Sequence, residues 1–459
     1  MDANQIIREI TETFLPLFAI PHPSGQEQAL STHLADLLRS RGGTVEADDH
    51  WNLRCDFPAT AGLESAPLVC FQGHLDTLAA PASDSTPCRV QDDHLVGDGY
   101  SPLGAGSLLA ITAALWLLQQ PFAHGPVRVL LTTGGEQAMT GAQSMDPHWL
   151  DEVRYLIGTD GIRADQLAIG ASGGCFQSWS RNLTTSLSPA PSWQVHFTNF
   201  PGGYSATEMG KGVVNPIRLL CNLLIQSEAQ IIHLTGGGAL NTIPSTASAI
   251  MTIKNPNLFV HWQALVQSLG GQMDFAPSDV PSYVWSPIDY QSSMDFLFSL
   301  PNGITAYLPN HPMLPACSGN LGRVECADNR LTYHMLLRGT PDQALDRTAR
   351  SCGLLADRCG FDPDGEIGYP TWEENPDNPL TQRMSQLWQA RHGAPMDIDP
   401  THAGSELSVL LRMRPELTAV ETGITIEQPY SIHERIDLTS LPDYIQLLQD
   451  TLEEIAQKG

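Results

Sequence analysis

The stretch Phe71-Gln72-Gly73-His74-Leu75-Asp76-Thr77 decides how the chain is read. Leu68 and Val69 lead into it and Pro81 follows, which predicts a buried strand running into a polar loop with His-x-Asp at its tip. In an α/β sheet, chemistry is usually placed at the C-terminal ends of the strands. Two residues apart on an extended segment, His74 and Asp76 point the same way, so His74 can ligate a metal while Asp76 supports its ring. A plain hydrogen-bonded loop pair uses the same residues, so the dipeptide pattern alone decides nothing.

The theme recurs. Val127 to Thr133 reads as a strand ending in Gly134-Gly135-Glu136, and Tyr155 to Thr159 as one ending in Asp160. Helical spacing of apolar residues marks 3–19 and 26–41, with short strands expected around 44–56 and 66–72. Tyr100 to Ser107 reads as a loop before a buried helix, Leu108 to Leu118. Together these argue an α/β fold with a mainly parallel sheet. After about residue 175 the texture changes to half-exposed strands (Ser192 to Thr198, Ala247 to Ile253, Arg330 to Leu337) and helices (Pro216 to Ile225, Pro341 to Leu355). From Asn378 the first texture resumes, with a helix over Leu380 to Arg391, a strand near Leu417 to Thr422 and a last helix from Leu441. The expected organisation is a discontinuous domain (1–175 and 378–459) interrupted by an α+β unit (176–377).

The chain has 459 residues, 42% of them hydrophobic, enough for more than one packed core. No apolar run reaches the roughly 20 residues that span a bilayer, and no signal peptide is visible at Met1 to Gln5. A cytoplasmic location is expected. With 24 Lys+Arg against 50 Asp+Glu, a net charge of −26 disfavours nucleic acid and anionic membranes as partners. Nine scattered cysteines without a C-x-x-C pair suggest neither a zinc ribbon nor a disulfide framework, and most are expected reduced and buried. Cys175 follows Gly173-Gly174 but has no visible base partner for a nucleophilic role.

Ordered matches run through Ile20-Pro21-His22-Pro23-Ser24-Gly25, Gly73-His74-Leu75-Asp76, Leu103-Gly104-Ala105 and Met139-Thr140-Gly141-Ala142. They continue through Gly170 to Gly174, Pro201-Gly202-Gly203-Tyr204-Ser205, Asn241-Thr242-Ile243-Pro244, His402-Ala403-Gly404 and Glu434-Arg435. In these the chain resembles the M20 metallopeptidases, most closely the cytosolic aminoacyl-histidine (Xaa-His) dipeptidase branch. The resemblance implies a zinc-peptidase domain with an inserted lid domain, often dimeric through the lid, that hydrolyses small peptides. It also implies two zinc ions, roughly 3.5–4 Å apart, sharing a bridging carboxylate and a bridging water. A separate Glu deprotonates that water and a lid His steadies the oxyanion.

Carried over by position, the resemblance makes His74 a zinc ligand with Asp76 supporting it, and Glu136 and Asp160 further ligands. Four positions depart from the pattern. The general base falls on Gly135, the bridging Asp on Gly106, the last His ligand on Tyr430 and the lid His on Tyr204. Flanking residues hold the register at both Glu136 to Gly141 and Gly423 to Arg435. His433 could replace Tyr430 only through a remodelled loop. Glu136 could change from ligand to base. Asn241 and Arg338 resemble lid positions that bind the substrate backbone and carboxylate, for which the Arg fork is suited. An ion pair would serve Arg338 equally. His402 either contributes to the pocket or caps its loop. Tyr204 and Tyr430 either face the cleft or fill vacated space.

The expectation is therefore an M20 dipeptidase-like protein with a degenerate centre. It retains one zinc (or other divalent metal) at His74, Glu136 and Asp160, or none. A small peptide-like or amino-acid-derived ligand would be held in the interdomain cleft, with or without repurposed chemistry. The alternative is a working mononuclear-metal dipeptidase or amidohydrolase.

Overall fold

The computed structural model describes residues 2–78, 88–99 and 101–458. Pro81 and Tyr100 lie outside the described residues. The chain divides into two units, Met1–Ala171 with Tyr369–Gly459, and Ser172–Gly368. The boundaries thus fall a few residues before those expected at 175 and 378. Gly173–Asn182 is already a strand of the second unit's sheet, and Trp372 bridges back to Ala171 within the first.

The first unit is built on an eight-stranded sheet: β1 (Thr44–Ala47), β2 (Leu53–Phe57), β3 (Leu68–His74), β4 (Val127–Thr132), β5 (Val153–Gly161), β6 (Gln166–Ala171), β7 (Asp397–Thr401) and β8 (Thr418–Gly423). The order is β1-β2-β4-β3-β5-β8-β6-β7. Pairings β4/β3, β3/β5, β5/β8 and β6/β7 are parallel, and β1/β2, β2/β4 and β8/β6 antiparallel. The sheet is mainly parallel. Every residue of β4 is buried, as expected of a strand covered on both faces.

The helix Gly106–Leu117 is also buried along its whole length, because its sequence is apolar on every side. It packs on β3 and β5 and against helices Ala3–Phe18 and Leu441–Lys458, forming one continuous core. It starts earlier than the Leu108 expected from apolar residues alone. Gly106 and Ser107 form its first turn, and Ser107 Oγ accepts the His74 N–H at 2.8 Å. Helix Pro379–His392 carries clear end signals: Asn378 accepts from the N–H groups of Leu380 and Thr381, Pro379 opens it, and Gly393 closes it at φ 76°.

The second unit is a nine-stranded sheet whose described pairings are antiparallel, with helices Pro216–Gln226, Leu258–Ser268 and Asp342–Arg358 and its own apolar core. Among the described residues no helix is long and apolar enough to cross a membrane.

Candidate functional site

Three neighbouring strands of the first unit bring the expected residues together. His74 is the last residue of β3, in register with Thr132 of β4, and Asp160 lies near the end of β5. Asp76 is 2% exposed and works as a bracket. Its carboxylate accepts from Ser24 Oγ at 2.6 Å, Gly135 N at 2.8 Å and Glu136 N at 3.1 Å. Glu27, also buried, accepts from Gly134 N at 2.8 Å. Three successive N–H groups of the 134–136 loop are thus pinned to two carboxylates.

His74 lies between two acids: Nδ1 is 3.2 Å from Asp76 Oδ1, and Nε2 is 3.5 Å from Asp160 Oδ1. Burial disfavours the imidazolium, but the charges of Asp160 and Asp76 override it and raise the ring well above its ordinary value. Burial likewise opposes the charged form of Asp76, yet the contacts from His74, Ser24 and the Glu136 N–H hold it below the usual carboxylate range.

The positions of Gly135, Gly106 and Tyr430 are closely packed. A Cβ added at Gly135 would lie 2.7 Å from Cγ and 2.8 Å from Cβ of His74, so any side chain there would meet the root of the His74 ring. One added at Gly106 would lie 2.5 Å from Cδ1 of Ile426. Tyr430 does more than fill space. Its hydroxyl donates to the Glu136 carboxylate, at 3.0 Å to Oε1 and 3.2 Å to Oε2. Tyr430 sits at φ 61°, an uncommon conformation for a bulky residue. Glu434 holds it there by accepting the Tyr430 N–H at 2.7 Å and the Gly104 N–H at 2.8 Å. His433 is exposed, so it does not take the place of Tyr430.

Two further acids line the same region and escaped the sequence reading. Glu406 Oε2 accepts from Thr132 Oγ1 at 2.7 Å and from Gln72 Nε2, while Oε1 is buried with no hydrogen-bond partner among the described residues. Glu421 on β8 accepts from Ser405 Oγ at 2.6 Å. Burial pushes Glu406 up to about 7 and Glu421 up to about 8. Burial also pushes Glu136 up to about 8, helped by the charges of Asp76 and Asp160 against that of His74. The available signal was an acid inside an apolar strand, Leu417-Thr418-Ala419-Val420-Glu421, and one just before the apolar run from Leu407.

In the second unit Tyr204, Asn241 and Arg338 form one buried group. Arg338 Nη1 donates to Ser205 Oγ at 3.0 Å, its guanidinium lies 5.3 Å from the Tyr204 ring centroid, and Ser205 Oγ donates to Asn241 O at 2.7 Å. Arg338 is therefore engaged by a hydroxyl and a ring. His402 is in the first unit, 2% exposed, directly after β7. Cys175 is buried and its thiol is pushed up to about 12, which fits a packing role and not a nucleophile.

The model of the peptidase family M20/M25/M40 matches residues 70–454. The chain belongs to this family. The cytosol non-specific dipeptidase of Escherichia coli (strain K12) is 26% identical over 475 residues, covering 97% of both chains. The aminoacylhistidine dipeptidase of Vibrio alginolyticus superposes with a TM-score of 0.70 at 23% identity, over 97% of this chain and 96% of that one. Human carnosine dipeptidase 1 gives 0.59 at 13% identity over 99% and 98%. These structural likenesses establish the fold.

Members of the M20 family typically bind zinc or another divalent metal, which makes the side chains around His74 the place to look for one. Gly106 carries no side chain, and the atom nearest a Cβ placed there is a methyl group of Ile426. Among the described residues no group of three or more His, Cys, Asp or Glu side chains converges as a metal cage. Of the expected set, His74 and Asp160 form a close pair, and the Glu136 carboxylate feels the charges of both.

Proposed function

We propose that this M20 member has lost two-metal peptide hydrolysis and binds a small peptide-like or amino-acid-derived ligand beside His74 and Asp160, with any remaining chemistry independent of a metal pair. The observation that carries this reading is the closed base position: at Gly135 even a Cβ meets the His74 ring at 2.7 Å. Loss of a general base alone costs roughly 10²–10⁴ in rate. Removing the metal bridge takes away the activated water as well. The test is to assay the purified protein with Xaa-His dipeptides in added Zn²⁺ or Mn²⁺ and to measure bound metal. Negligible turnover and substoichiometric zinc are expected. Two tightly held zinc ions per chain, or turnover abolished by His74→Ala, overturns the reading.

A mononuclear dipeptidase or amidohydrolase is the second reading, and one distance favours it. Two ligand atoms about 2.1 Å from a tetrahedral zinc lie about 3.4 Å apart, close to the 3.5 Å between His74 Nε2 and Asp160 Oδ1. One zinc per chain together with His74-dependent turnover selects it. Both readings put the protein in the cytoplasm, in keeping with the name of the E. coli relative. They include a homodimer through the inserted unit and no nucleic-acid or membrane partner.

A further inference from the structure

β4 ends at Thr132, and the chain re-enters a helix only at Thr140. The loop between them is closed at its neck, where the Gly141 N–H donates to Thr133 O at 2.9 Å and the Thr140 N–H to Gly134 O at 3.1 Å. Asn52, fully buried just before β2, spans that neck. Its Oδ1 accepts the Thr133 N–H at 3.0 Å, and its Nδ2 donates to Gly141 O at 3.0 Å. A Cβ at Gly141 would lie 2.6 Å from Asn52 Oδ1, so the fit leaves room for glycine alone. Further round the loop, Ala138 and Met139 are consecutive non-glycine residues at φ 58° and 60°. Such a backbone persists only where its surroundings over-determine it.

Glu27 supplies part of that constraint. It stands at the N-cap of the helix Gln28–Ser40, where an acceptor side chain ordinarily turns back onto its own helix, yet its carboxylate makes no cap bond. It reaches instead to the Gly134 N–H at 2.8 Å, 107 residues along the chain, and is 4% exposed. The next two N–H groups, of Gly135 and Glu136, are held by Asp76, and the Glu136 carboxylate meets the Tyr430 hydroxyl at 3.0 Å.

From this we infer that Glu27 is a positioning residue: together with the Asn52 clamp at the neck, it fixes the 133–141 loop so that the Glu136 carboxylate stands against Tyr430 before any ligand arrives. The inference rests on the proposed ligand site beside His74 and Asp160 and names what holds one side of it in place. A wall fixed in advance spares the ordering cost that binding would otherwise carry.

The test compares two substitutions. Glu27→Asp shortens the arm by one methylene and remains a good N-cap, so it withdraws the acceptor from Gly134 without weakening the start of its own helix. Glu27→Gln keeps the reach and the acceptor and removes only the charge. In native-state hydrogen exchange, Glu27→Asp is expected to speed the Gly135 and Glu136 amides by about tenfold or more, with Leu131 in the sheet and the urea midpoint at wild-type values. Glu27→Gln is expected to match wild type. Wild-type protection of both amides in Glu27→Asp overturns the clamp. So does a loss shared equally by Leu131, which would mark a general loss of stability. Titration calorimetry with an Ala-His dipeptide gives the second readout: affinity is expected to fall about threefold or more in Glu27→Asp and to hold in Glu27→Gln. Faster exchange with unchanged affinity overturns the positioning role. Absence of binding by the wild type counts against the proposed ligand instead, and exchange at Gly135 and Glu136 still decides the clamp.

Discussion

Two buried acids, one in each unit, show how differently a fold can treat a carboxylate. Asp289 in the second unit receives Arg181 through Nε at 2.9 Å and Nη2 at 2.6 Å, the Thr184 N–H at 2.8 Å, and the hydroxyls of Thr184 at 2.5 Å and Ser286 at 2.7 Å. Burial works against its charge, but these donors prevail and hold it well below the usual range. Glu421 in the first unit receives the Ser405 hydroxyl, and burial pushes it up to about 8. An acid saturated with donors is an anchor. An acid with few donors, set among other acids, is held toward its neutral form.

The comparison breaks most easily at Asp289. Removing one member of a buried ion pair strands the other, so Asp289→Ala should cost about 3–5 kcal/mol in urea unfolding. Its depressed value contributes stability above about pH 4, lost progressively as pH falls from there toward the lower folded value. A loss under about 1 kcal/mol would mean that Arg181 finds other partners and that donor number is no guide.

Glu421 has the opposite sign. Its folded-state value is raised, so its stabilising share is full below about pH 4.3 and declines as pH rises toward 8. Glu421→Gln should remove that decline and stabilise the protein at pH 8 by on the order of 2–3 kcal/mol. A pH profile unchanged by the substitution would contradict it.

Gly135→Ala places a Cβ against His74 and should cost about 2 kcal/mol by overpacking. A neutral result in thermal unfolding would show that the 134–136 loop gives way despite its three pinned N–H groups. The smallest effect is expected from Tyr430→Phe. It removes one hydroxyl from Glu136 and should cost about 1 kcal/mol. The same denaturation series would show a loss above about 3 kcal/mol if Tyr430 carried more than this bond.

Much of this was legible in the sequence, and the part that was not has a physical reason. Apolar runs ending in His74, Glu136 and Asp160 mark strands and their C-terminal ends, because a covered parallel strand must be apolar along its length. The position of Gly106 within the fold was harder to read. Glycine and serine have low helix propensity, so Gly106 and Ser107 read as loop, although they make the first turn of a helix. What fills the space above Gly106 lies 320 residues further along the chain, and no periodicity records a contact of that kind. Glu406 is hidden for the same reason, since its partners Gln72 and Thr132 come from two strands far away in sequence. The substituted positions were visible one at a time. Their packing against His74, Ile426 and Glu136 was not.

Glu434 has a dynamic consequence. One carboxylate accepts amide protons from Gly104 through Oε1 and from Tyr430 through Oε2, far apart in the chain, so a motion that withdraws the Glu434 side chain releases both. The entry to the buried helix and the Tyr430 turn therefore fluctuate as one cooperative element, and in native-state hydrogen exchange the two amides should report a single opening free energy.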